Sequence, residues 1–232
     1  MEIEEMILDS AKYSSEDWIK IIALGFISLI ALIGISNPFL SFFLVIGFLP
    51  AGYLFRVLKT AFKGSDELPI FNEWLEMFID GIKVVMVTII YAIPIIIIAL
   101  TPFISQPSLI TTSLISAPYL WGLLTGSSLQ IILVILIGFV EIIGIANMAL
   151  YDGEFNAAFK FREILQRIFL INWRRYLVFY ILIWIIGIIT LFISMITLTL
   201  FIGIIIIPLI IAPYFMVFST RFLALIFASS ES

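Results

Sequence analysis

Glu141 stands inside a long apolar run, and its type and position suggest chemistry more directly than those of any other residue in this chain. No other charged residue occurs between positions 84 and 151, and Glu141 falls near the middle of a stretch able to cross a bilayer. A charge at the centre of a membrane-crossing helix costs about 2.5 to 3.5 kcal/mol on insertion scales, while each large apolar residue returns a few tenths. The stretch 129–150 is apolar enough to insert in spite of it. An ionisable group at that depth marks a proton or cation site, or a contact for a polar group of a substrate. The same residue reads equally as a structural strut, a neutral glutamic acid hydrogen-bonded to Tyr91 or Thr88 of the preceding span. Gly138 and Gly144, three residues to either side, would let a neighbouring helix come close at the carboxyl group.

A second group is basic. Lys160, Arg162, Arg167, Arg174 and Arg175 fall within one short segment, which suits anionic lipid headgroups or an acidic protein partner. Such a cluster also serves simply to fix membrane topology. Catalysis finds no support, because the chain has no His and no Cys. It therefore lacks the commonest general base, metal ligand and thiol nucleophile. It also has no Gly-x-Ser-x-Gly and no Walker loop, and its acidic residues lack the compact spacing of a carboxylate metal site. The expectation is a protein without catalytic residues, metal or cofactor. With 12 basic against 16 acidic residues, nothing points to nucleic acid.

These residues must be positioned by membrane helices. The chain is 63% hydrophobic and only 12% charged, with a mean hydropathy of +1.24; soluble domains are about 25% charged. Three runs, 21–55, 84–140 and 176–220, contain no charge at all. Each is long enough to cross a bilayer and return, since one crossing takes roughly 20 apolar residues. The predicted architecture is all-α, a single integral membrane domain over 1–232 with six transmembrane helices as three hairpins. Approximate spans are 18–35, 39–57, 82–100, 129–150, 176–194 and 198–220. All 12 Lys and Arg residues fall on one side of this arrangement. The positive-inside rule therefore places both termini in the cytoplasm of a cell-membrane protein. The acidic segment 1–17 is the opposite of a cleavable signal, so the first span is expected to stay in place.

Between the hairpins the periodicity predicts amphipathic helices lying on the cytoplasmic face. Ile3, Met6, Ile7 and Ala11 form the first apolar stripe. Ile70, Phe71, Trp74, Leu75, Phe78 and Ile82 form the second, and Phe155, Ala158, Phe159, Leu165, Ile168 and Phe169 the third. Ser14 to Asp17 supply an N-cap for the first span, and Ser36-Asn37-Pro38 a turn after it. Trp18, Trp74, Trp121 and Trp173 fit interfacial anchors, whereas Trp184 is mid-span and reads as packing. Segment 101–128, with Pro102, Pro107 and Pro118, is an uncharged outside loop that either lies in the interface or dips into the bundle. Similar junctions at Asp17-Trp18-Ile19-Lys20, Asp80-Gly81-Ile82-Lys83 and Asn172-Trp173-Arg174-Arg175 suggest either a threefold repeat or a shared boundary chemistry.

One resemblance accompanies this reading. The stretch from Gly47-Phe48-Leu49-Pro50-Ala51-Gly52-Tyr53 to Arg56, then Gly64, Leu68-Pro69, Phe78-Ile79-Asp80-Gly81-Ile82-Lys83 and Tyr91-Ala92-Ile93-Pro94, resembles an uncharacterised family of multi-pass membrane proteins. That family is found mainly in archaea and catalogued as a domain of unknown function. The resemblance implies membrane residence and no particular activity. The functional expectation is thus a non-enzymatic membrane component with a cytoplasmic collar contacting lipid or protein, or alternatively a small transporter or permease using Glu141.

Overall fold

The uncharged runs form long helices whose charged ends are tied together on one side. A computed structural model describes the backbone of residues 2–36, 45–105 and 117–229. The expected turn at Asn37-Pro38, the start of the second span, the centre of segment 101–128 and the side chain of Trp121 lie outside the described residues. In chain order the helices are α1 (Ile3–Ser14), α2 (Trp18–Ser36), α3 (Phe48–Phe62), α4 (Trp74–Ser105), α5 (Ala117–Leu150), α6 (Phe161–Leu170), α7 (Trp173–Thr199), α8 (Gly203–Ile206) and α9 (Ala212–Ala228). A 3-10 turn occupies Phe155–Phe159, and a π-helical stretch at Ile207–Ile211 joins α8 to α9. Among the described residues there is no strand. Five segments, Val45–Phe62, Trp74–Ile98, Ile131–Leu150, Trp173–Thr199 and Gly203–Ala228, are long and apolar enough to cross a membrane. The 19 residues of α2 have the same apolar character.

Several boundaries differ from expectation for local reasons. The second surface helix is not separate, because nothing between Trp74 and Pro94 interrupts helical hydrogen bonding; its residues from Trp74 onward form the first turns of α4, while Ile70 and Phe71 lie in the segment before it. That helix has 32 residues, about 48 Å at 1.5 Å per residue, against a hydrocarbon core of about 30 Å. Similarly, α5 begins at Ala117 and α4 continues to Ser105, so both helices extend into the segment expected to be loop. α7 runs on to Thr199, and the chain reverses at Phe201, whose φ of 59° lies in the left-handed region. The last helix passes Arg221 and ends at Ala228. The third amphipathic stretch is broken at Lys160 into a 3-10 turn and α6.

The three similar junctions are not equivalent. Asp17 caps α2, its Oδ1 accepting the amides of Ile19 and Lys20 at 3.1 and 3.2 Å. The Lys20 amide holds its carboxyl below the usual range. Asn172 caps α7 in the same manner, accepting the Arg174 amide at 3.2 Å. Asp80 instead lies inside α4, with Lys59 at 3.2 Å and Lys83 at 3.6 Å.

The buried side chains gather towards the charged end of the bundle. Val87 of α4, Ile143 and Met148 of α5, Tyr176 and Phe179 of α7 and Phe222 of α9 form the main cluster. Tyr53, Leu24, Met77 and Val217 form a second one. α1 packs into this end. Its Met6 and Tyr13 are buried, Tyr214 donates to the Ala11 carbonyl at 3.1 Å, and Asp9 meets Arg221 at 2.8 Å. Among the described residues, the glycines of the α3–α4 crossing leave the least room for a Cβ. A Cβ on Gly52 would collide with the Met77 carbonyl, and one on Gly81 with the Phe48 carbonyl. The two backbones touch, as small residues at a membrane helix crossing allow.

The α5–α6 turn is held by side chains. Asn147 donates to the Ala157 carbonyl at 2.9 Å, and the Tyr151 hydroxyl donates to Glu163. That bond holds the Glu163 carboxyl below the usual glutamate range and raises Tyr151 in turn. A carboxyl with a depressed pKa stabilises the fold above its unfolded pKa, and the contribution is lost as pH falls through the folded value. A carbon NMR titration is expected to place Glu163 below the ordinary glutamate range, and Tyr151→Phe to return it towards that range.

Candidate functional site

Glu141 sits on the face of α5 that α4 and α7 flank. The residues of that face, Val134, Ile137, Gly138, Glu141, Ile142 and Ile145, recur at helical spacing and floor a cleft of about 340 Å³. Ala92 and Ile95 of α4 make one wall, and Tyr180, Ile183 and Trp184 of α7 the other. α7 is kept at a distance from α5 by two tyrosines. Tyr176 donates to the Phe139 carbonyl at 2.6 Å, and Tyr180 to the Ile135 carbonyl at 2.9 Å. The cleft is the space left beside these props. Its rim is open, for Val134 is 40% and Trp184 45% exposed.

Of the two expected partners of Glu141, Thr88 on α4 is within side-chain reach of it. Tyr91 is engaged elsewhere. Its hydroxyl donates to the Ala158 carbonyl at 2.8 Å, and its ring stacks on Phe159. The 3-10 turn brings that carbonyl to the helix, a placement no spacing in α4 announces. Gly138 makes room for the Tyr180 hydroxyl, 2.9 Å from where a Cβ would stand, and Gly144 for the Tyr91 hydroxyl at 2.8 Å together with the Ala158 carbonyl of the 3-10 turn at 2.9 Å. Trp184, expected as packing, faces the cleft. The four-residue spacing of Tyr176, Tyr180 and Trp184 on one side of α7 is the signal that links them.

The basic residues divide between two environments. Lys160 stands over the Tyr151 ring at 4.1 Å, Arg167 over Phe227 at 5.0 Å and Arg174 over Trp173 at 5.6 Å. Arg162 is exposed on α6. Arg174 and Arg175 line a broad recess of about 650 Å³ with Glu2 and Glu5 of the N-terminus, so part of the cluster faces the protein's own acids. Two further ionic ties went unread in the sequence. Lys59 lies between Asp80 at 3.2 Å and Asp152 at 3.5 Å. Arg221 is only 4% exposed, yet it holds Asp9, Asp66 and the Ser65 carbonyl. Among the described residues no three His, Cys, Asp or Glu side chains converge as a metal would require.

Residues 39–199 match the family described as protein of unknown function, DUF4013. The match takes in α3 to α7 and the whole floor of the cleft, and leaves α1, α2, α8 and α9 outside it. No curated protein and no solved structure matches the chain. As the matched segment is well over half of its 232 residues, this apolar helical chain belongs to the DUF4013 family.

Proposed function

We propose that the protein is a non-enzymatic, multi-pass component of the cell membrane whose α6–α7 junction forms a cytoplasmic collar seated on anionic lipid headgroups. The topology proposed is six crossings as three hairpins, α2 adding the sixth to the five longer segments, with both termini cytoplasmic. The partition of all 12 basic residues to one side supports that orientation.

The observation that carries the collar is the surface of α6. Ile164 and Ile168 are buried, while Phe161, Leu165 and Phe169 are exposed at four-residue spacing beside exposed Arg162. Trp173 and Arg174 continue that surface into α7. An apolar row flanked by cations is what an interfacial helix offers to headgroups and the upper acyl chain. In nanodiscs with a minority of anionic lipid, that lipid is expected to stay with the protein on mild extraction. Changing Arg162 and Arg174 together to Gln removes about 2 kcal/mol, at about 1 kcal/mol per basic residue near the surface, and with it most of the enrichment. Unchanged enrichment sinks the collar. An acidic protein that copurifies and is lost in the double variant would replace lipid as the partner.

A second reading, a small transporter or permease using Glu141, draws on the cleft at that residue. Reconstituted protein would then carry a pH-dependent flux that Glu141→Gln abolishes. An unaltered flux in that variant removes Glu141 from the pathway.

A further inference from the structure

We propose that the cleft at Glu141 binds a lipophilic organic cation, an ammonium or phosphonium with apolar substituents, that enters sideways from the hydrocarbon core. The inference rests on the same residue as the transporter reading but concerns binding, which does not require passage.

Size, charge and ring placement converge on this class. A volume of about 340 Å³ lies within the roughly 300 to 1,000 Å³ of small-molecule sites, which are mainly apolar with a few placed polar groups. Among the described residues, Glu141 is the only charged one lining the cleft, and no Lys or Arg faces it. Tyr180 and Trp184 meet edge to face with centroids 6.3 Å apart. Because the Tyr180 hydroxyl is committed to the Ile135 carbonyl, this residue offers the cleft its ring. Aromatic faces attract cations, and more strongly once both are desolvated. A carboxylate alone in hydrocarbon is costly, and a cation beside it offsets that cost in a medium of low dielectric.

Competing occupants fit less well. Calcium takes six to eight oxygens in its usual sites, whereas Glu141 brings one carboxylate and Thr88 one hydroxyl. An acyl chain would fill the volume but leave the carboxyl group unanswered. The exposed rim residues Val134 and Trp184 open the cleft between the outer surfaces of α4 and α7, the faces that meet lipid when the chain is embedded. The entrant must therefore be soluble in the membrane.

Tetraphenylphosphonium is a suitable probe. With the full chain in nanodiscs of zwitterionic lipid, saturable binding of one cation per chain is expected. Glu141→Gln should weaken it about ten-fold or more, and Trp184→Ala about three-fold. Arg174→Gln on the cytoplasmic face should leave it unchanged. Neutral triphenylphosphine oxide should not compete. Equal affinity in Glu141→Gln, or equal displacement by the neutral compound, overturns the proposal and leaves a lipid-filled groove. Should Glu141→Gln fail to fold, the wild-type protein still decides. A hydrophobic carbodiimide is expected to label Glu141 more slowly when the cation is present, and no protection counts against the site. Binding without flux defeats only the transporter reading. Glu141-dependent flux without cation binding defeats only this one.

Discussion

Gly81→Val is expected to abolish a folded, monodisperse protein in detergent, and Gly52→Val to do the same. At the α3–α4 crossing the positions a Cβ would take are occupied by the Met77 and Phe48 carbonyl oxygens, with the Gly81 and Gly52 amide nitrogens at 3.1 and 3.0 Å. Overpacking usually costs about 1 to 3 kcal/mol because neighbouring side chains shift. Here the obstacle is backbone on both sides, so the helices themselves must separate. They would carry with them Tyr53, which donates to the Pro69 carbonyl at 3.1 Å, and the Lys59–Asp80 pair. A loss above about 3 kcal/mol is expected, at the upper end of such changes, read as a fall in the thermal or detergent-denaturation midpoint. Gly138→Ala is the control. There the obstacle is the Tyr180 hydroxyl at the end of a movable side chain, and the cost should be about 1 kcal/mol. Equal effects at both places would refute the backbone-contact account.

Arg221→Met should release the N-terminal helix. The guanidinium reaches Asp9 of α1 at 2.8 Å, Asp66 at 2.7 Å and the Ser65 carbonyl at 2.9 Å, and lies 4.6 Å from the Tyr13 ring centroid. Desolvation raises the Tyr13 hydroxyl to about 12, against the lowering effect of Arg221. The carboxylates themselves are wetter than the arginine, so each alone contributes little. The arginine is common to all of these contacts. Its loss is expected to cost about 3 kcal/mol, from charged hydrogen bonds to two carboxylates and a carbonyl and from the contact with the Tyr13 ring. The distinctive readout is local: amide exchange and proteolysis in 3–16 should accelerate more than in α5. Asp9→Asn should shift stability by less than about 1 kcal/mol.

What was legible in the sequence followed from solvent. The absence of charge over 84–140 and 176–220 leaves helices as the viable structure for those stretches in hydrocarbon, and among the described residues helices, with one break after Thr199, are what they form. Glu141 was equally legible, as the single charge between positions 84 and 151. Boundaries were harder, because hydropathy marks where a chain meets water and not where its helix begins. Trp74 to Gly81 is polar enough for an interface yet contains nothing to end a helix, so α4 continues through it. Long-range pairings were hidden altogether. Arg221 and Asp9 are separated by nearly the whole chain, and Tyr91 finds its acceptor in a turn 67 residues away. Neither is encoded in a local period.

Tyr176 and Tyr180 are one helical turn apart, and so are the carbonyls they hold, Phe139 and Ile135. Hydrogen bonding alone would be met equally by α7 slid along by one turn, about 5.4 Å, with Ile135 and Ile131 as acceptors. What selects between these registers is a missing methyl group. At Gly138 the Tyr180 hydroxyl finds room, and one turn further along that place belongs to the side chain of Val134. Lipid exerts no hydrophobic pull between helices to resist such a slide. Gly138 therefore works as an index notch, setting how far α7 stands out of the bundle and where along α5 the cleft at Glu141 comes to lie.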